Sequence, residues 1–405
     1  MTFFSMGQEP RTIDFQSDRN LRDEARYPGA LVLSGVENQV YFNHEGIEVW
    51  CNNAVFYQEE NFFKAYGNVR MQQGDTVTMQ SNYAEYNGTT KFAFASGRVI
   101  MTRPQSTLET DSLFFDRIKQ QAYYRSGGTV RDTASVLTSV VGRYYMEQDK
   151  YSFISNVVLT NPEYVINSQQ LDLYTESGHA YMYGPTTIKS ETSTIYCERG
   201  FYDTRQDRGY FVKNSRIDYE NRILEGDSLY FDRNTSFASG TNNIKVTDTL
   251  NNSLITGHYA EVYRDRDSVF ITKRPLAATL QDQDSVFVHG DTILITGKPE
   301  NRIVRAFYDV RMFKSDMSGK SDSIFIDQKT GLTKLININR GPVSSTTRRR
   351  SPILWSGSSQ MTGDTIHLKS NPETEKLDSL LVFDNAFLIQ KDSIEGYNQV
   401  KGKEL

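Results

Sequence analysis

The sequence predicts an elongated, repetitive, all-β fold with antiparallel strands. Three observations support this prediction: a recurring segment of about 29 residues, an abundance of Tyr (24) and Phe (23), and only 10 Pro among 405 residues. Aromatic residues favour strands, and Thr, Ser, Asp and Asn recur at the short intervals that tight turns need. A chain of this length exceeds one ordinary domain, so it forms either several globular domains or one long repeat structure. The composition favours the repeat structure, with little helix.

The repeat is clearest in two ten-residue segments. Residues 108–117 and 224–233 are identical at eight of ten positions, and they lie 116 residues apart, which is four times 29. Dividing 405 residues by 29 gives about fourteen repeats. A second marker, in which Gly or Asn stands one to four residues before a β-branched residue, recurs every 27 to 31 residues at Val40, Val69, Val99, Val130, Val158, Ile188, Ile217 and Ile244.

Each repeat has room for two strands of about ten residues and two tight turns. In the first segment we expect a strand over residues 108–116, a turn over 117–120 and a returning strand over 121–130 that breaks at Gly127 and Gly128. Such short returns favour antiparallel pairing, because parallel strands need longer connections. A parallel β-helix therefore fits less well.

Alternation along the first segment gives two faces that both end in apolar residues. Leu113 and Phe115 share one face, whereas Leu108 and Phe114 lie on the other. The pattern alone does not decide which face is inside. We predict that Leu113 and Phe115 face the interior, and that Leu229 and Phe231 do so in the second segment.

Charge and hydropathy narrow the possible partners. The net charge is -5 with acidic and basic residues interspersed, so we do not expect nucleic acid to bind. The basic run Arg348–Arg350 lies within residues 341–352, where we predict a solvated loop, with an anionic-lipid contact as the alternative. The sequence contains no run of 18 apolar residues, so it predicts no membrane-spanning helix. Residues 1–7 lack the pattern of an export leader, so either a leader has been removed or the protein stays inside the cell.

The sequence indicates no metal site, cofactor or catalytic motif, and we expect no enzyme. The five His residues are scattered without metal-ligand spacing, and neither Cys belongs to a Cys-x-x-Cys pair. Aspartates followed by Ser or Thr recur in many repeats, and we predict turn or strand-start roles for them. Calcium binding or paired-carboxylate cleavage of a polysaccharide are the alternatives. These aspartates are Asp75, Asp111, Asp227, Asp291, Asp322, Asp364 and Asp378.

The two cysteines occupy matching contexts. Cys51 follows Trp50, Cys197 follows Tyr196, and an aromatic residue comes shortly after each. They therefore mark one position in two repeats, about five repeats apart. With at least one strand of ~4.8 Å per repeat they lie too far apart for a disulfide, which requires about 6 Å between Cα atoms. We predict two unpaired, mostly buried thiols.

Several motifs resemble those of the OstA-like family, which includes the lipopolysaccharide bridge LptA, the related LptC and the periplasmic part of LptD. The resemblance is closest to long OstA-like proteins of Bacteroidetes-type bacteria, and it covers roughly residues 30–403. The motifs that carry it are the segments 50–54, 65–71, 74–76, 84–86, 353–357, 360–364 and 397–403.

The resemblance implies a V-shaped β-jellyroll whose apolar groove shields the acyl chains of lipopolysaccharide. It implies a periplasmic location, with outer-membrane association left open, and end-to-end pairing of edge strands with other jellyroll domains or with a second copy. An apolar groove lowers the cost of carrying acyl chains through water. The groove-lining residues that we predict are Val69, Val99, Leu113, Phe115, Val130, Leu229 and Phe231.

Four segments follow from this interpretation. We expect a partly disordered N-terminal segment over 1–29, jellyroll repeats over 30–340, the Arg-rich loop over 341–352, and further repeats over 353–405 that continue past Leu405. A non-lipid assembly scaffold that polymerises or docks through its edge strands is the alternative function. A polysaccharide-active enzyme is a third, and it would need a carboxylate cluster that is not repeated.

Overall fold

Strands make up almost all of the regular structure. The computed structural model describes residues 12–281, 284–315, 317–337, 351–371, 376–392 and 396–405. Contacts divide the chain into two units: unit 1 comprises residues 1–191 and 203–205, and unit 2 comprises residues 192–202 and 206–405. The predicted basic run Arg348–Arg350 lies outside the described residues.

Unit 1 holds the first seventeen described strands, and their pairings are antiparallel. One 3₁₀ turn, Met146–Gln148, precedes β15. The strands are β1 (Asp14–Gln16), β2 (Arg19–Arg22), β3 (Leu31–Ser34), β4 (Val40–His44), β5 (Ile47–Cys51), β6 (Asn53–Tyr57), β7 (Phe62–Gln73), β8 (Val77–Asn87), β9 (Phe92–Arg103), β10 (Ser106–Asp116), β11 (Gln121–Tyr124), β12 (Gly128–Asp132), β13 (Val136–Ser139), β14 (Val141–Tyr145), β15 (Lys150–Thr160), β16 (Tyr164–Tyr174) and β17 (His179–Ser190).

Unit 2 holds the remaining described strands, again with antiparallel pairings. Its 3₁₀ turns are Arg264–Arg266 and Pro299–Asn301. The strands are β18 (Ser193–Asp203, whose last residue groups with unit 1), β19 (Arg208–Tyr219), β20 (Arg222–Asp232), β21 (Phe237–Asp248), β22 (Ser253–Tyr263), β23 (Ser268–Thr272), β24 (Leu276–Gln281), β25 (Asp284–His289), β26 (Thr292–Thr296), β27 (Ile303–Lys314), β28 (Met317–Asp327), β29 (Leu332–Ile336), β30 (Ile353–Ser356), β31 (Ser359–Thr362), β32 (Thr365–Ser370), β33 (Leu377–Lys391) and β34 (Tyr397–Glu404).

The predicted all-β, repetitive antiparallel jellyroll is therefore confirmed. The first predicted segment forms β10, and its returning strand forms β11 and β12 with the expected break before Gly128. Residues 12–29, which belong to the segment predicted to be partly disordered, contain β1 and β2.

Many long strands contain two consecutive residues in the left-handed backbone region near their middle. In β7 these are Gly67 (φ +74°) and Asn68 (φ +48°), and the register with β8 shifts between Tyr66 and Val69. Gly and Asn occupy this region at the lowest cost, which explains why they mark the repeat in the sequence. The corresponding pairs in other long strands are Gly97–Arg98, Ser155–Asn156, Lys213–Asn214, Asn242–Asn243, Tyr308–Asp309 and Asp384–Asn385, and a further pair, Lys273–Arg274, lies between β23 and β24.

Each bulge reverses which side chains point inward. In β10, Leu108 and Thr110 are buried before the register shift, and Leu113 and Phe115 are buried after it. The burial of Leu113 and Phe115 was predicted. The assignment of Leu108 to the opposite face was wrong, because an extra residue between paired positions switches the alternation.

Some of the aromatic side chains lie on the outer face of unit 1. The ring of Phe114 lies 5.0 Å from those of Phe94 and Tyr123. The ring of Phe94 also contacts that of Tyr83, and the ring centroid of Tyr83 lies 5.1 Å from that of Tyr66. These rings are half-buried or exposed, so the aromatic residues of the repeat do not all belong to an interior groove.

Candidate binding groove

In unit 1, residues at opposite ends of the paired strands come into contact. Arg103 ends β9, and strand pairing places Lys150 in register with Phe92, at the other end of β9. Asp149 precedes Lys150, yet its carboxylate lies 3.3 Å from the Arg103 guanidinium. A straight strand of this length would separate its ends by roughly 35–40 Å. The strands must therefore fold back at the bulges, and their two ends face each other across a gap that we call the mouth.

Unit 2 has the same geometry. Asp248 ends β21, whereas Arg302 precedes β27 at the end that is in register with Phe237. The Arg302 guanidinium nevertheless donates a hydrogen bond of 2.6 Å to the Asp248 carboxylate. Each unit thus encloses an interior groove between folded strands, with a mouth along one side.

Both mouths lead to cavities. In unit 1 a cavity of about 760 Å³ has polar turn residues at its rim, and apolar side chains such as Leu137, Phe153 and Leu159 lie deeper. In unit 2 a cavity of about 430 Å³ is lined by aliphatic side chains such as Ile255 and Val288, and also by Arg222 and Arg302. Both volumes are within the range of small-molecule sites in proteins.

Ion pairs span the mouths at several levels, and we call them the cross-mouth pairs. Lys91 contacts Glu45 at 2.7 Å, and their side chains are about one-third exposed, so this pair adds little stability. The Arg302–Asp248 pair differs because both side chains are almost fully buried. The other members are Arg103–Asp149 and Arg117–Glu45 in unit 1, and Arg264–Glu220 and Arg222–Asp267 in unit 2.

The surroundings of the buried Arg302–Asp248 pair shift the pKa values of Asp248 and Arg222. Burial by itself would raise the pKa of Asp248, but the Arg302 guanidinium and hydrogen bonds from Asn251 hold that pKa below its usual range. Burial lowers the pKa of Arg222, and the nearby charge of Arg302 lowers it further. Asp248 therefore stays ionised beside two guanidinium groups at neutral pH.

All seven predicted groove residues are buried. Val69, Val99, Leu113, Val130 and Leu229 have side chains within the jellyroll interiors. Of these five, Val130 lines the cavity of unit 1. Phe115 is 6% exposed, and Phe231 lines a small cavity of about 50 Å³ in unit 2. Their role in holding a ligand remains a prediction.

Two of the seven recurrent aspartates, Asp227 and Asp364, have structural partners at the bends. Asp227 lies within β20 and accepts a hydrogen bond of 2.8 Å from the Asn243 side chain, which belongs to the left-handed pair of β21. Asp364 accepts a bond of 3.0 Å from Asn385 in the left-handed pair of β33. The strand-start role holds for Asp364, which precedes β32, but Asp227 lies within its strand. No group of three or more acidic, His or Cys side chains that could hold a metal ion occurs in the described part of the chain.

The predicted pair of free thiols is confirmed. Cys51 and Cys197 are unpaired and buried. Burial raises the pKa of each thiol to about 12, so both are protonated at neutral pH.

Sequence reasoning missed the cross-mouth pairs. Their signal is the separation between opposite charges: 46 residues for Lys91 and Glu45, 46 for Arg103 and Asp149, and 44 for Arg264 and Glu220. These values are close to one and a half repeats, which is three strands. After an odd number of strands the chain has reached the opposite side of the mouth. The separations of 54 residues for Arg302–Asp248 and 72 residues for Arg117–Glu45 depart from this spacing.

A comparison with protein families supports the family resemblance over part of the chain. Residues 16–169 match a family described as OstA-like protein. Among solved structures the chain is similar to LptH of Pseudomonas aeruginosa, the LptA-homologous periplasmic component of its lipopolysaccharide transport device. That similarity has a TM-score of 0.25 and 11% identity, and it covers 26% of this chain and 81% of LptH. A search of curated proteins found no match. No helix among the described residues is long and apolar enough to cross a membrane.

Proposed function

Because residues 16–169 carry the OstA-like pattern, we propose that the protein binds lipopolysaccharide in the periplasm, as a bridge or carrier towards the outer membrane. The single observation that carries the proposal is the pair of cavities behind the mouths. Both walls carry apolar side chains, which are aliphatic in unit 2 and include aromatic rings in unit 1, together with charged residues. An amphiphile suits such a groove, because its acyl chains leave water while its polar part stays at the mouth.

Burial favours the interior over the outer face as the lipid site. The apolar residues Leu113, Phe115 and Phe153 are shielded from water, whereas Phe114 is half-buried on the outside. For acyl chains to enter, the mouth of unit 1 must widen at the Arg103–Asp149 pair, in which both side chains remain partly exposed. An exposed pair of this kind costs little to open.

Site-specific photo-crosslinking tests the proposal. A photoreactive phenylalanine at Phe115 or Val130 faces the interior, and the same group at the neighbouring Phe114 is the matched control on the outer face. Lys119, with an exposed side chain in a turn, is a second control. Incubation of the full chain with lipopolysaccharide, irradiation and a lipopolysaccharide blot should give adducts at the two interior positions and not at the controls. Adducts confined to the controls, or none at all, would reject the carrier function.

Assembly through edge strands is the second candidate. Among the described strands β34 pairs only with β33, and Tyr397 and Val400 on it are largely exposed. An exposed strand edge can pair with another β-protein or with a second copy of the chain. The Lys391 N–H bonds to Ser358, so its neighbour two residues earlier, Ile389, also faces away from β34, and the N–H of the paired Gln399 lies on the free edge. Replacement of Gln399 by Pro removes this donor. If analytical ultracentrifugation shows a concentration-dependent oligomer that this variant abolishes, and no lipid crosslinks form, the scaffold function is favoured.

A further inference from the structure

The cavity of unit 2 contains an arginine whose hydrogen-bonding capacity is only partly used. Arg302 is 3% exposed, and one of its terminal nitrogens donates to Asp248. Its Nε and its other terminal nitrogen have no hydrogen-bond partner among the described residues. Buried guanidinium donors are rarely left unpaired, because removing them from water without a partner is costly.

A second guanidinium faces the same cavity. Arg222 is 8% exposed and also lines the cavity wall. Its acidic contact, Asp267, lies 3.7 Å away with a side chain about one-third exposed. Among the described residues, Asp248 is thus the well-buried carboxylate that interacts with both guanidinium groups. Burial lowers the pKa of Arg222, and the neighbouring Arg302 lowers it further, while Asp248 and Asp267 act in the opposite direction.

The rest of the cavity wall is largely aliphatic. Ile255, Val269, Val288 and Ile295 lie on it, and all four side chains are buried. A small inorganic anion would use the two arginines and leave this apolar surface unoccupied. A molecule that carries an anionic group on an apolar chain would use both.

We propose that Arg222 and Arg302 form an anion site at the mouth of unit 2, which binds the phosphate or carboxylate head of an amphiphile whose apolar chain enters the cavity. This assignment rests on the proposed function, and it adds the chemistry by which the groove selects its ligand. Arginine suits this role because its planar fork binds the oxygens of phosphate or carboxylate in pairs.

Binding of short amphiphiles to the full chain tests the site. Dodecyl phosphate, laurate and dodecyl maltoside share a twelve-carbon chain, and only the first two are anionic. Isothermal titration below their micelle concentrations should show that at least one anionic amphiphile binds about tenfold or more tightly than the maltoside, the scale of one charge-assisted bond. The two anionic probes distinguish a phosphate from a carboxylate head.

Variants assign the preference to the site. Arg222→Gln leaves the Arg302–Asp248 pair in place and should abolish most of the anionic preference while maltoside binding persists. Arg302→Lys keeps the charge but removes the fork, and it should weaken the preference. Arg311→Gln removes a charge from an exposed side chain of unit 2, and it should change nothing.

The outcomes separate this inference from the proposed function. Equal binding of all three probes, or a preference that survives Arg222→Gln, overturns the anion site and leaves the apolar groove intact. Inorganic phosphate that binds as tightly as dodecyl phosphate overturns the amphiphile assignment. If none of the three amphiphiles binds, both the anion site and the apolar carrier groove are rejected.

Discussion

Arg302 and Asp248 are 54 residues apart in the chain and lie at opposite ends of the strand register, yet a 2.6 Å hydrogen bond joins their side chains. This contact closes the mouth of unit 2 at a buried point. Loss of either side chain would leave the other charge buried without its hydrogen-bonded partner. The pair is therefore the cross-mouth contact with the largest expected effect on stability.

We expect Arg302→Met to destabilise unit 2 by about 3–5 kcal/mol, because it removes the guanidinium that hydrogen-bonds the buried Asp248 carboxylate. The chain has two Trp residues, Trp50 in unit 1 and Trp355 in unit 2. Urea unfolding followed by Trp355 fluorescence in a Trp50→Phe background reports on unit 2. The control Arg311→Met alters an exposed side chain and should stay within about 0.5 kcal/mol of the parent. Equal effects of the two substitutions would contradict the role of the buried pair.

Acid should weaken unit 2 through Asp248. Its pKa in the folded protein lies below the ordinary value of 3.8, so its stabilisation is present above the unfolded pKa and is lost as the pH falls through the folded one. The urea midpoint reported by Trp355 should therefore drop below about pH 4. The slope should be smaller in Asp248→Asn, which has no carboxylate to protonate at this position. Identical slopes in the two proteins would rule out Asp248 as a source of the acid sensitivity.

How far the sequence predicts this architecture can be judged from β10 and from the Arg302–Asp248 pair. The spacing of Gly and Asn predicted the repeat because the left-handed bends restrict residue choice locally, as at Gly67 and Asn68. The inward face of Leu108 was mispredicted because the register shift after Thr110 depends on pairing with β9. The cross-mouth contacts depend on strands folding back over long sequence separations, which no local pattern reveals.

The thiols of Cys51 and Cys197 should be inert in the folded protein. Burial raises the pKa of each to about 12, so little thiolate forms at pH 8 and reagents have no access to it. Ellman's reagent should label neither thiol without denaturant and two per chain in urea. As a control, a cysteine placed at the exposed Lys119 should react within minutes in the folded protein. Rapid labelling of the parent protein would show that the cysteine sites open readily.

The bend of β9 should not tolerate a side chain on Gly97. Its φ of +79° is unfavourable for other residues, and a Cβ atom would lie 2.9 Å from the Cβ of Asn82. Gly46 has a similar φ of +82° but open space around it, so Gly46→Ala measures the cost of backbone strain alone, about 1–2 kcal/mol. Gly97→Ala should cost roughly 1 kcal/mol more in urea unfolding followed by Trp50 in a Trp355→Phe background. Equal costs would mean that Asn82 moves aside freely.

The left-handed pairs at the bends also bear on how such a chain can change in length. Each bend depends on two adjacent residues and on pairing with the neighbouring strands, as with Asn242 and Asn243 in β21. A gene duplication that copies one whole repeat would carry its own bend and restore both strand ends to their original sides. A duplication of half a repeat would exchange the two ends, so that the strands beyond it would begin on the opposite side of the mouth. Inherited variation in length should therefore proceed in steps of about 29 residues.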